Sequence, residues 1–158
     1  VTINSWQQNG ISALVVRNLF GTLSNKTIAI FGFAFKADTN DTRESPGIKI
    51  SGDLLREGVK LRFYDPKVSE SQILKDLSKI ISDNNVVVCD SYLSASKGVD
   101  AILVLTEWEQ FKKLDWKNIF KNMRKPAWVF DARSIVNMDS VKNIVENFSI
   151  TKIRIIFR

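Results

Sequence analysis

Short apolar runs alternate with amphipathic helical patterns along most of the chain, and this alternation limits the folds that it can adopt. The apolar runs predict buried strands, and apolar residues at three- and four-residue spacing predict helices. Strands that alternate with helices imply right-handed crossovers between parallel strands. The predicted fold class is therefore α/β, a doubly wound, mainly parallel sheet of about six strands preceded by an N-terminal helix. The predicted strands are Lys26–Phe33, Val59–Tyr64, Val86–Cys89, Ala101–Leu105, Ala127–Asp131 and the end of the chain.

The helical patterns fall between these strands. A helix over residues 5–20 carries a wide apolar stripe, which predicts a partner on more than one side. Ser45 and Pro46 open the next helix as cap and first residue. Further helices are predicted at 69–81, after Ser91, within 112–125 and at 139–147. Apolar and basic residues alternate in the last strand, which predicts an edge position with one solvated face.

The composition of the 158 residues excludes several kinds of site. The chain has one cysteine, Cys89, and no histidine, so it cannot form an intrachain disulfide, a Ser-His-Asp triad or a conventional zinc site. Without a histidine to activate it, Cys89 is predicted to be a buried structural residue. No apolar run approaches the roughly 18 residues of a membrane span. With no signal-peptide pattern either, we expect a cytoplasmic location and no membrane partner.

The net charge of +6 is concentrated in residues 112–125, which hold six basic side chains and one acidic one. A basic patch can bind nucleic acid, and such binding would weaken steeply with salt. The same stretch, however, has apolar residues at helical spacing. We therefore predict a buried helix face with lysines on its solvated side, and no nucleic-acid partner. The apolar positions are Trp116, Ile119, Phe120 and Met123.

Candidate binding residues follow the carboxyl ends of the predicted strands, where ligands bind in open α/β sheets. Lys36 and Arg133 are the cations there, and cations pair with phosphate. The aromatic residues Phe33 and Phe35 precede Lys36 and could stack on a base or belong to the core. Each residue alone fits an ordinary structural role. Their shared position predicts a nucleotide pocket, provided that Lys36 and Arg133 flank the same cleft.

The first strand-to-helix turn departs from the glycine pattern of dinucleotide sites. That pattern needs three closely spaced glycines, whereas Ala34 and Ala37 follow Gly32 and the turn is much longer. We interpret the domain as Rossmann-like without standard dinucleotide binding. Asp65 stands where such folds place a ribose-binding carboxylate. Because Pro66 follows it, a turn-forming role is favoured.

Five motifs occur in a common order and resemble the UDP-glucose 6-dehydrogenase family, a branch of the UDP-glucose/GDP-mannose dehydrogenases. The resemblance runs from about residue 1 to residue 150 and is specific because the motifs are separate. The motifs are GFAFK at 32–36, DTNDTRES at 38–45, FYDPK at 63–67, TEW at 106–108 and FDAR at 130–133.

The resemblance implies an NAD-dependent enzyme that oxidises the C6 alcohol of a nucleotide sugar to a carboxylate. It implies that residues 1–24 end a central dimerisation region and that residues 25–158 form a C-terminal UDP-sugar-binding domain. Phe35 and Lys36 resemble the pair that contacts the UDP-sugar, and Arg133 resembles the uridine-site arginine. Arg43 resembles an arginine that reaches NAD held by another domain. The family often has a second basic residue after the uridine-site arginine, whereas Ser134 follows Arg133 here.

The same resemblance implies that this chain holds no catalytic residue. The family's catalytic cysteine and lysine and its NAD-binding glycine loop lie upstream, so we expect the chain alone to be inactive. The implied partners are UDP-glucose or UDP, the rest of the dehydrogenase and further copies in a homo-oligomer. Two alternatives stay open: a dehydrogenase for GDP-mannose or a UDP-N-acetyl sugar, and a stand-alone non-catalytic nucleotide-binding module.

Overall fold

The computed structural model describes Gly10 and residues 24–81, 84–148 and 153–157. The helix predicted over residues 5–20 lies outside the described residues, apart from Gly10, which is helical. The boundary predicted at residues 24 and 25 therefore stays a prediction.

In chain order the elements are β1 Thr27–Phe31, α1 Pro46–Arg56, β2 Lys60–Tyr64, α2 Glu70–Asp76, β3 Val86–Val88, α3 Tyr92–Ser96, β4 Ala101–Val104, a 3-10 helix Glu109–Lys113, α4 Trp116–Asn122, β5 Ala127–Asp131, α5 Met138–Phe148 and β6 Ile153–Phe157.

The six strands form one sheet in the order β3-β2-β1-β4-β5-β6. Every neighbouring pair is parallel. The predicted doubly wound sheet is confirmed, and so is the edge position of the last strand. The strand order reverses between β1 and β4, and their carboxyl ends open the crevice in which such folds bind ligands.

The central strands are the apolar runs of the sequence. In β1 the side chains from Ile28 to Phe31 are fully buried, and β4 is fully buried along its whole length. Burial on both faces explains why these strands are continuous apolar runs rather than alternating ones. The loops that leave β1 and β4 therefore start from fully buried strand ends.

The basic stretch is not one helix, which corrects the prediction for residues 112–125. Its first part belongs to the 3-10 helix, and α4 begins only at Trp116. Leu114 between them has extended backbone, and Asp115 caps α4 by accepting a hydrogen bond from the Asn118 N–H group. The predicted apolar face is nevertheless confirmed. Its four residues, Trp116, Ile119, Phe120 and Met123, are buried.

Two smaller predictions are also corrected. The helix predicted over residues 69–81 ends at Asp76, and the chain continues in turns. Cys89 is only partly buried, and it lines a cavity of about 310 Å³ beside the carboxyl ends of β2 and β3.

In the part of the chain that the structure describes, no helix has both the length and the apolar character needed to cross a membrane.

Candidate nucleotide site

Three loops meet at the carboxyl edge of the sheet, where β1, β4 and β5 lie side by side. The Thr106 hydroxyl, just after β4, donates to the Ala34 carbonyl in the β1 loop at 3.0 Å. Glu107 forms an ion pair with Arg133 of the β5 loop. The Ala132 N–H group also donates to the Val104 carbonyl at 3.1 Å. The loop after β4 thus bridges the two loops that carry the predicted binding cations.

Gly32 permits this close contact between the β1 and β4 loops. Its φ is +96°, a conformation that side chains rarely adopt. A Cβ added at this position would lie 2.5 Å from both the Cβ and the Oγ1 of Thr106. The glycine of the GFAFK motif therefore allows a close approach between two loops of the protein itself.

The Asp65 carboxylate, which ends β2, is buried and accepts five N–H groups. Oδ2 accepts from the Phe33 N–H at 2.7 Å and the Ala34 N–H at 3.0 Å. It also accepts from the Trp108 indole at 3.3 Å. Oδ1 accepts the N–H groups of Lys67 and Val68 in its own turn. The favoured turn-forming role is confirmed, and two other loops depend on the same side chain.

The long segment after Lys36 is closed by local hydrogen bonds. The Phe35 N–H donates to the Asp41 carbonyl at 2.7 Å, which turns the chain back on itself. Ser45 then caps α1: its hydroxyl accepts from the Gly47 N–H at 3.1 Å and donates to the Phe33 carbonyl at 2.8 Å. The loop is therefore anchored at both ends, before and after the predicted UDP-sugar pair.

Arg43 lies at the far end of this loop, with its side chain 88% exposed. Its Nε and Nη2 groups donate to the two carboxylate oxygens of Asp41 at 3.1 and 3.0 Å. Because these bonds stabilise the ionised carboxylate, they lower the pKa of Asp41 from 3.8 to about 2. The same contact raises the pKa of Arg43 above its ordinary value. The guanidinium is held in a fixed direction on the surface.

The predicted binding residues thus have different surroundings. Phe35 is partly buried and Lys36 is exposed. The Arg133 side chain is 25% exposed and paired with Glu107. Since β1 and β5 run in the same direction on either side of β4, the loops with Lys36 and Arg133 leave the same edge of the sheet. Their roles toward a ligand stay predictions.

Sequence reasoning predicted only the turn-forming part of the role of Asp65, and it missed how Asp131 and Glu107 shape this edge. Asp131 is fully buried and accepts the N–H groups of Arg133 and Val136 at 3.1 and 2.7 Å, so it fixes the β5 loop. Asp65 does the same after β2, and Glu107 pairs with Arg133. The available signal was a carboxylate at the end of an apolar run, in FYD and VFD.

The two halves of the carboxyl edge differ in charge. The cavity beside β2 and β3 is lined by three carboxylates, those of Asp65, Glu70 and Asp90. The edge formed by β1, β4 and β5 carries both signs of charge: Lys36 and Arg133 lie there with Glu107 and Asp131. A phosphate group therefore has cationic partners on this edge, whereas the cavity offers it three carboxylates.

This strand order, with loops joined at the point where the order reverses, defines a Rossmann-like α/β domain. Residues 29–138 match the model of the UDP-glucose/GDP-mannose dehydrogenase family, UDP binding domain. The chain belongs to this family and contains its UDP-binding domain.

The individual relatives agree with this assignment. The chain is 44% identical over 160 residues to UDP-glucose 6-dehydrogenase 1 of Glycine max and 42% identical to UDP-glucose 6-dehydrogenase 4 of Arabidopsis thaliana. Each alignment covers 91% of this chain and 33% of the relative, so the chain spans about a third of their length. Among solved structures, a UDP-D-ManNAc dehydrogenase from Pyrococcus horikoshii aligns with a TM-score of 0.62 and 28% identity, covering 82% of this chain and 27% of that one.

The residues of this crevice do not fit NAD. Asp65, at the ribose-binding position, has its carboxylate occupied by five internal donors. The Cβ of Ala34 stands where the fingerprint needs a second glycine for close approach to a pyrophosphate. That this domain lacks standard dinucleotide binding stays a prediction.

Proposed function

We propose that this chain is the UDP-sugar-binding portion of an NAD-dependent UDP-glucose 6-dehydrogenase, which oxidises UDP-glucose to UDP-glucuronate. One observation carries the proposal: the loop with Phe35 and Lys36 and the loop with Arg133 are joined at the same sheet edge through the loop after β4. The family assignment and the identity to two plant UDP-glucose 6-dehydrogenases support the choice of ligand.

Each proposed binding residue has a distinct part. The exposed ammonium of Lys36 pairs with the diphosphate as a mobile point charge. The partly buried ring of Phe35 packs against the nucleotide sugar beside it. The Arg133 guanidinium donates to the uridine end of the ligand, and Glu107 holds that guanidinium in place.

The remaining steps of the reaction belong to parts outside this chain. We propose that NAD is held by another domain and that Arg43, fixed by Asp41, reaches it from this one. NAD supplies the hydride acceptor for the oxidation. The catalytic groups lie in that other part too, so these 158 residues alone are inactive. Residues 1–24 would then end a central dimerisation region of a cytoplasmic homo-oligomer.

Isothermal calorimetry with UDP and UDP-glucose tests the binding site. We expect K36M and R133M each to weaken UDP binding about ten-fold, the effect of losing one charge-assisted hydrogen bond. Lys60 is an exposed lysine at the amino end of β2, on the opposite edge of the sheet. K60M is therefore the matched control and should bind UDP like the wild type. Equal affinity in all three variants, or no binding by the folded wild type, would count against the site.

A different nucleotide sugar is the second candidate, and the similarity to a UDP-D-ManNAc dehydrogenase favours it. Competition against bound UDP separates the candidates. Displacement by UDP-glucose but not by a UDP-N-acetyl sugar or GDP supports the first proposal. Stronger displacement by GDP or by the N-acetyl sugar selects the alternative. Whether coding sequence continues upstream of Val1 separates a dehydrogenase domain from a stand-alone nucleotide-binding module.

A further inference from the structure

A single buried carboxylate connects the loops that follow β1, β2 and β4. We propose that Asp65 is a positioning residue for the UDP-sugar site, an inference that rests on the proposed function. Asp65 does not touch the ligand in this proposal. It fixes the segment from which Phe35 and Lys36 project.

The two oxygens of Asp65 have separate tasks. Oδ2 holds the other loops through the amides of Phe33 and Ala34 and the indole of Trp108. Oδ1 holds its own turn through the amides of Lys67 and Val68, at 2.8 and 2.9 Å. The side chain thus acts as a rigid link between β2 and the loop after β1.

The contact with Asp65 lies one residue before the binding segment, Phe35 and Lys36. The N–H group of Ala34 is bound to Asp65, and its carbonyl is bound to Thr106. Phe35 and Lys36 come next, and the Phe35 N–H is held by the Asp41 carbonyl. Loss of the contact with Asp65 therefore removes one of the two hydrogen bonds that hold Ala34, and the start of the binding segment is held less rigidly.

All five partners are hydrogen-bond donors, and this makes the requirement chemical rather than steric. An ionised carboxylate accepts on both oxygens. Asparagine has nearly the same shape, but its NH₂ group is itself a donor. It could not accept the N–H groups that one of the two carboxylate oxygens accepts. D65N must therefore give up the contacts of one oxygen, leaving buried N–H groups unpaired. Trp108→Phe is milder, because it keeps an aromatic ring and removes one donor.

UDP titrations of the intact wild-type protein, D65N and W108F test the proposal. Asp100 provides a matched control at the opposite edge of the sheet. It also joins two strands through a carboxylate, accepting the Thr27 N–H at 2.9 Å and pairing with Arg124 at 3.5 Å. D100N should lower stability without changing UDP affinity. Denaturant unfolding of each variant gives the stability that accompanies each affinity.

We expect D65N to weaken UDP binding about ten-fold and W108F about three-fold, because the binding segment loses part of its preorganisation. D100N at similar or greater destabilisation should leave the affinity unchanged. Wild-type affinity in folded D65N would overturn the positioning role, as would an equal loss in D100N. If D65N does not fold, wild-type affinity in W108F overturns it. Absence of UDP binding by the wild type contradicts instead the proposed function.

Discussion

Gly32 and Gly98 both have left-handed backbone, but only Gly32 is closely surrounded by other atoms. Alanine substitutions at the two positions therefore distinguish the cost of backbone strain from the cost of a steric clash. A Cβ on Gly32 would meet Thr106 at 2.5 Å, whereas a Cβ on Gly98, whose φ is +72°, would meet nothing within 4 Å. We expect G32A to lower the free energy of unfolding by about 2–4 kcal/mol, from strain and overpacking together. G98A should cost only about 1 kcal/mol. Urea unfolding of both variants measures this, and equal losses would show that strain alone is responsible.

Asp41 allows a test of the pair with Arg43 by pH. Its folded pKa of about 2 lies below the ordinary 3.8, so the ionised pair contributes above pH 3.8 and is lost as pH falls through about 2. We expect the Asp41 carboxyl carbon to titrate near pH 2 by NMR in the wild type and at a higher pH in R43Q, in which the backbone N–H of residue 43 still donates to it. An unchanged midpoint in R43Q would mean that the contact does not persist in solution.

Residues with a proposed ligand-facing role and residues with an internal role look alike in the sequence. Lys36, Arg133 and Asp65 all follow apolar runs, and their common edge could be predicted from the direction of parallel strands. The inward orientation of Asp65 could not be predicted from the sequence, because its five hydrogen-bond donors come from three separate loops. Nor could the pairing of Arg133 with Glu107, which depends on the packing of two loops.

At the scale of elements, the cap of α1 is tied to the site and the cap of α2 is not. Ser45 is buried and hydrogen-bonded to both Gly47 and Phe33. Ser69 is exposed, and its hydroxyl contacts only its own helix, through the Gln72 N–H and the Ser71 hydroxyl. We expect S45A to lower stability by about 1–2 kcal/mol and S69A by about 0.5–1 kcal/mol. Thermal unfolding monitored by circular dichroism gives both values. A larger loss in S69A would contradict the second role of Ser45.

The limits of the strands could be predicted from this sequence more accurately than the limits of the helices. Burial on both faces gives β1 and β4 unbroken apolar runs, and β5 was predicted with its observed limits. The helix limits depend on weaker local preferences. The basic stretch has helical spacing throughout, but Leu114 adopts extended backbone and Asp115 restarts the helix as a cap.

For the molecule as a whole, the site should make stability depend on UDP and not on NAD. A ligand that binds only the folded state raises the free energy of unfolding by about 2.7 kcal/mol at 100 times its Kd. We expect UDP to raise the Tm of the 158-residue chain accordingly and NAD to leave it unchanged, because the crevice beside Asp65 does not fit a dinucleotide. Differential scanning calorimetry measures both, and R133M should reduce the UDP shift. A comparable shift with NAD would show that the crevice admits the cofactor.

The inward-facing carboxylate of Asp65, directly after β2, bears on how the proposed dehydrogenase would bind NAD and a UDP-sugar in different domains. A second unmodified copy of a dinucleotide fold would compete with the first for the same cofactor. Here the carboxylate of Asp65, at the position that would bind the ribose, already accepts hydrogen bonds from backbone N–H groups of its own domain. A dinucleotide would therefore find no free carboxylate for its ribose at this position, and the proposed enzyme would have to bind NAD through its other domain.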